Sequence, residues 1–174
     1  MALHFTIKEF QKRKSDTLKS MKELNLDALL MFRQESMYWL TGYDTFGYVF
    51  FQTLIMDQKG NIILLTRAPD LRQAQNTSNI EDIRIWVDKD DSSPTDDLKI
   101  ILDELNLKEK NIGIEFEAYG LTGRNALRLN KSLESYCRVE DHSELITKHR
   151  VVKSQEEIIY VRKAAELADL ALEE

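Results

Sequence analysis

DALLMF, Asp27–Phe32, is the stretch on which the fold turns. Its apolar residues run without the gaps that a helical face or an alternating strand would leave. A run this short and this continuous predicts a β-strand buried on both faces. A strand of that kind needs helices packed above and below it.

The flanking sequence supplies them. Thr6 to Leu24 reads as a helix, opened by the capping box Thr6/Glu9. Ile7, Phe10, Leu18 and Met21 make its apolar face, which Lys14 interrupts. Downstream, Val49 to Met56 is a second strand, rich in aromatic and β-branched residues. Gly60 sits in a turn, and Ile62 to Thr66 is the hairpin partner. Pro69 opens a short helix ending near Ser78, and Ile83 to Val87 is another strand. Ser93 is placed as an N-cap, with Pro94 first in the helix and Asp96 and Asp97 favourable to its dipole. Strands at Ile112–Phe116 and Tyr136–Val139 alternate with helices at Leu121–Leu133 and Ser143–Val151. About six strands alternating with about six helices predict an α/β layer architecture. The hairpin makes the sheet mixed.

The last segment opens with a second capping box, Ser154/Glu157. Ile158, Val161, Ala165, Ala168 and Leu172 then repeat at helical spacing. Glu173 and Glu174 oppose the dipole at its C-terminus. The helix reads as cut, which predicts one domain of a longer chain. A natural terminal helix with a frayed end is the alternative.

The chain has 174 residues, enough for one substantial core. It is 43% hydrophobic and 31% charged, which fits a globular protein. A net charge of −6 without a basic stripe argues against nucleic acid as a partner. Lys12-Arg13-Lys14 reads as a solvated helix face. The single cysteine, Cys137, rules out an internal disulfide and reads as a buried strand thiol. The expected location is the cytoplasm, since MALHFTIKEF lacks the features of a signal peptide. No apolar run is long enough to span a bilayer, so no membrane partner is expected.

Catalytic motifs are missing. His4, His142 and His149 lack zinc-site spacing, and no G-x-S-x-G is present. The segment Gly42–Gly47 has phosphate-loop glycines but not the lysine and hydroxyl that should follow. Asp88 begins a calcium-like pattern that fails at Ser93 and Lys99. Glu115 and Glu117 fall on one side of an extended segment, as an acid/base pair or as a helix-capping and a solvated carboxylate. Asp141, His142 and Ser143 are adjacent and cannot converge as a triad, so helix capping is the better reading.

Three segments together resemble the N-terminal domain of the creatinase, prolidase and aminopeptidase P family. SMYWLTGYD (36–44) is similar to its N/S-x-x-Y/W-L-T/S-G-Y/F segment, and NIGIEFE (111–117) to its I-G-x-E strand. In the stretch from Ile146 to Asp169, the residues Arg150, Lys153, Ser154, Glu157, Ile158, Val161, Arg162 and Ala164 match its junction helix. The resemblance covers essentially the whole chain. It implies a three-layer α/β fold with a mixed six-stranded, ribonuclease H-like sheet flanked by helices. It implies two parts: 1–152 as the domain, and 153–174 as the start of a linker helix into a C-terminal "pita-bread" metallohydrolase domain. That domain would carry the catalytic groups and a divalent metal (Mn, Zn or Co, unless the parent is creatinase-like). The resemblance assigns no catalytic residue and no metal ligand to this chain.

What it implies for this chain is accessory work: homodimerisation, contact with the catalytic domain, and a loop at the rim of the partner subunit's active site that touches a small peptide or amide substrate. Trp39 and Leu40 are expected to point inward, with Gly42 allowing the turn after them. Tyr43, Asp44, Phe46 and Tyr48 are the expected rim residues, joined by Arg67 and Asp70; each could instead cover the domain's own core or surface. Within the family, WLTGYD followed by FGYVFFQ leans toward creatinases and ectoine hydrolases. A catalytically dead, protein-binding relative of the same fold is a further alternative.

Overall fold

In a computed structural model that describes residues 3–173, the Asp27–Phe32 run forms strand β1, Ala28–Met31, inside a six-stranded sheet. The others are β2 (Thr53–Asp57), β3 (Ile62–Arg67), β4 (Asp82–Trp86), β5 (Asn111–Ile114) and β6 (Arg138–Asp141), in the order β4-β3-β2-β1-β5-β6. β2 runs antiparallel to both β1 and β3, while β3/β4, β1/β5 and β5/β6 are parallel. The sheet is mixed, as the hairpin requires.

Every residue of β1 is buried, and its side chains alternate between two cores. Ala28 and Leu30 join Ile55, Leu65, Ile112 and Ile114 on one face. Leu98, Ile101 and Leu102 of α4 (Pro94–Glu104) and Leu129 and Leu133 of α5 (Gly123–Leu133) cover them. Leu29 and Met31 join Leu54, Met56 and Leu64 on the other. There the cover is α1 (Ile7–Glu23), α2 (Gln34–Thr41), α3 (Leu71–Thr77) and α6 (Glu144–Val151). These are the three layers of the α/β expectation.

Several boundaries differ from the sequence reading, each for a packing reason. β2 begins at Thr53; before it the chain makes a 3₁₀ turn at Gly47–Val49, and Phe51 gives its carbonyl to the Trp86 indole N–H at 2.9 Å. The buried face of α1 is Phe10, Arg13, Thr17 and Met21, and Ile7 is exposed. Lys12-Arg13-Lys14 is therefore not a solvated face, because Arg13 lies in the interior. Tyr136 precedes β6 rather than starting it, because its N–H turns back to the Leu133 carbonyl at 3.0 Å; its hydroxyl donates to Asp103 at 2.8 Å. Ser93 makes no capping bond, and its hydroxyl pairs instead with that of Thr95.

The last helix, α7 (Gln155–Glu173), begins as the sequence predicts. Ser154 N–H donates to Glu157 Oε2 at 2.8 Å, and Glu157 N–H donates to Ser154 Oγ at 3.2 Å. Ile158 is half-buried, and every residue from Ile159 to Glu173 is exposed.

Candidate functional site

Five strands, β1 and β3 to β6, end at the same edge of the sheet, where β2 begins. The chain order reverses between β1 and β5, and open α/β sheets bind ligands at such a crevice. Here the crevice is filled from within. Glu115, fully buried, leaves β5 and turns its carboxylate onto the start of α2. Oε2 accepts from the Phe32 and Arg33 N–H groups, both at 3.0 Å, and Oε1 accepts from Ser36 Oγ at 2.5 Å. A helix leaves its first N–H groups without partners, and a carboxylate suits that end of the dipole. Burial is the larger influence on the acid and pushes its pKa up to about 7 against these hydrogen bonds. Glu117 is exposed and paired with Arg33 at 2.9 Å. The two carboxylates thus do not face one reacting atom.

Beside this edge lies the aromatic loop. Gly42 ends α2 at φ +82°, and a Cβ there would sit 2.9 Å from the Thr77 carbonyl. Tyr43 then turns inward. It is 0% exposed and donates its hydroxyl to Gln52 Oε1 at 2.9 Å, which corrects the expectation that it reaches outward. Burial raises its pKa. Thr45 is buried in the same network, accepting from Gly47 N–H at 2.9 Å and from Gln52 Nε2 at 3.2 Å. With Tyr43, Thr45 and Gly47 inside, Asp44, Phe46 and Tyr48 are turned out; Phe46 is 86% and Tyr48 40% exposed.

Arg67 and Asp70 support this loop from below and do not form a surface pair. Asp70 is buried, bonded to Arg67 Nε at 3.1 Å, and packed so close to Gly47 that a Cβ there would lie 2.7 Å from either carboxylate oxygen. The Arg67 guanidinium lies 3.4 Å from the centre of the Phe50 ring.

A groove of about 630 Å³ opens next to the loop, within the roughly 300–1,000 Å³ of small-molecule sites. Tyr48, Tyr119 and Phe116 supply aromatic walls, and Arg33, Glu35 and Arg150 supply charge. The sequence reading missed Tyr119, which is 84% exposed, and the exposed Val49 and Phe50. Gly120 marked the place, since it allows its loop to lie against the carbonyls of Tyr48 and Phe50. Ser143 Oγ donates to Asp141 Oδ1 at 2.6 Å and accepts from the Phe116 and Glu117 N–H groups, so it ties down the 116–117 turn. Cys137 is half-buried, and burial pushes its thiol up to about 11, far from a nucleophile's range. Among the described residues no group of three or more His, Cys, Asp or Glu side chains is placed to hold a metal ion. Nor is any described helix long and apolar enough to cross a membrane.

The creatinase/prolidase N-terminal domain profile matches residues 13–152. An uncharacterized hydrolase/peptidase of Sinorhizobium fredii is 29% identical over 96% of the chain, and the ectoine hydrolase of Halomonas elongata is 26% identical over 96%. The chain spans 44% and 43% of the length of these two relatives. A dipeptidase structure from Pyrococcus horikoshii superposes with a TM-score of 0.76 at 22% identity, covering 92% of this chain and 42% of that one. At that identity the likeness shows the fold.

Proposed function

The chain belongs to the creatinase/prolidase N-terminal domain family, and from that premise we propose that it is the non-catalytic N-terminal domain of a metal-dependent hydrolase. The parent cleaves Xaa-Pro peptides or a related small amide, and the divalent metal that activates water belongs to residues outside this chain. This chain contributes to a homodimer and offers its 44–50 loop as the rim of the partner subunit's substrate site. One observation carries the reading: Phe46 and Tyr48 stand in water on a loop pinned by buried Tyr43, Thr45 and Gln52. Rings held rigidly outward give contact area at little cost in side-chain entropy, which suits recognition.

A small amide of the ectoine or creatine kind is the second reading, favoured by the ectoine hydrolase among the relatives. Turnover by the full-length protein with Mn²⁺, Zn²⁺ or Co²⁺ separates the two, using Xaa-Pro dipeptides, longer Xaa-Pro peptides, creatine and ectoine. Tyr48→Ala is expected to lower kcat/KM about tenfold on the accepted substrate, with the melting temperature unchanged. An unchanged kcat/KM would remove Tyr48 from the rim. Cleavage by the purified 174-residue chain alone would overturn the non-catalytic assignment.

A further inference from the structure

The capping box at the start of α1 is only half closed by its own residues. Thr6 Oγ1 accepts from Glu9 N–H at 3.2 Å, as such a box requires. The returning carboxylate, which should be Glu9, comes instead from Glu156, 150 residues away: Thr6 N–H donates to its Oε2 at 2.9 Å and Thr6 Oγ1 to its Oε1 at 2.6 Å. Glu9 turns inward to Arg13 Nε at 3.1 Å.

Arg13 is 2% exposed and is the hub beneath this exchange. Its Nη1 donates to the Trp39 carbonyl at 2.7 Å, and its guanidinium lies 4.2 Å from the centre of the Phe5 ring. Its Nη2 approaches Glu157 Oε1 at 3.2 Å in ion-pair contact without hydrogen-bond geometry. One turn further on, Tyr160 donates its hydroxyl to the His4 carbonyl at 2.7 Å and meets the Phe5 ring edge-on, centroids 5.4 Å apart. The opening turns of α7 thus grip the segment 4–13.

Beyond Tyr160, α7 is exposed along its length and buries no residue. Over that stretch the core of the described residues therefore does not fix its direction. We infer that the segment 4–13 is a latch that sets the direction of α7 relative to the sheet, with Glu156 and Tyr160 as the positioning residues. From Tyr160 to Glu173 α7 is a lever of about 20 Å, so a tilt of about 20° at the latch moves Glu173 by roughly 7 Å. The position of the far turns of α7 relative to the sheet then depends on Glu156 and Tyr160 in its first two turns. The inference goes beyond the hydrolase assignment and does not depend on it.

The test is a spin-label distance measurement between Lys131→Cys on α5 and Asp169→Cys on α7, both exposed, in a Cys137→Ala background. The unaltered latch is expected to give one narrow distribution. Glu156→Ala, and separately Glu156→Met with Tyr160→Phe, which removes both acceptors of Thr6 and the Tyr160 donor, are expected to at least double its width while circular dichroism stays the same. The second variant keeps side-chain volume and so reports on the hydrogen bonds even if the first unfolds. Lys12→Ala, which breaks only the exposed pair with Asp16, is the control. An unchanged width in the conservative variant, or equal broadening in the control, would overturn the latch.

Discussion

Glu115→Gln tests the physical account of the crevice between β1 and β5. The Glu115 carboxyl is raised from an ordinary 4.5 to about 7, chiefly because folding removes it from water. The folded protein therefore holds this proton more tightly than the unfolded chain between those values. The contribution to stability is fully present below the unfolded pKa and is lost as pH rises through the folded one. A rise from 4.5 to about 7, at about 1.4 kcal/mol per pH unit, amounts to about 3 kcal/mol. Glutamine keeps the geometry without the titration. Its carbonyl can take the Phe32 and Arg33 N–H groups, and its amide can donate to Ser36 Oγ. Urea unfolding at pH 5 and pH 8, on both proteins, isolates the effect as a difference of differences. Wild type should lose roughly 2–3 kcal/mol more than Glu115→Gln over that interval. Parallel losses would refute the raised pKa. An opposite sign would mean that three donors and the α2 dipole outweigh burial and hold the group ionised.

Two further perturbations address the supports of the loop and of the latch. Gly47→Ala places a Cβ 2.7 Å from both oxygens of Asp70, a side chain already held by Arg67, and should cost about 1–3 kcal/mol in denaturant unfolding. No loss would show that Asp70 can move and does not pin the loop. Arg13→Met removes the cation between Glu9 and Glu157 and should cost about 2–3 kcal/mol. This is below the figure for a fully buried pair because both carboxylates keep some water. A loss under about 0.5 kcal/mol would class Arg13 with ordinary surface charges.

Much of the fold was legible because its signals are local. The unbroken run at Asp27–Phe32 could be satisfied only by cover on both faces, and β1 has it. Ser154/Glu157 closes on itself, as a box spanning three residues can. Gly42 took the left-handed turn that only a residue without a Cβ adopts cheaply.

The candidate site was legible only in outline. The aromatic segment was visible, but Tyr43 and Tyr48 are chemically alike, and a buried acceptor on Gln52 decides which of them turns in. Asp70 looked like a surface acid until Gly47 and Arg67 closed over it. Glu115 and Glu117 read either as an acid/base pair or as a helix-capping and a solvated carboxylate, and the N-terminus of α2, presented across the sheet, decides for the second. Thr6/Glu9 read as a self-sufficient box, yet Glu156 closes it.

By itself the sequence determined the strands, the helices and their order, because periodicity and capping act within a few residues. The tertiary structure decided which polar side chains are partners. Those bonds join residues far apart in the chain, and they exist only once packing has excluded water from around them.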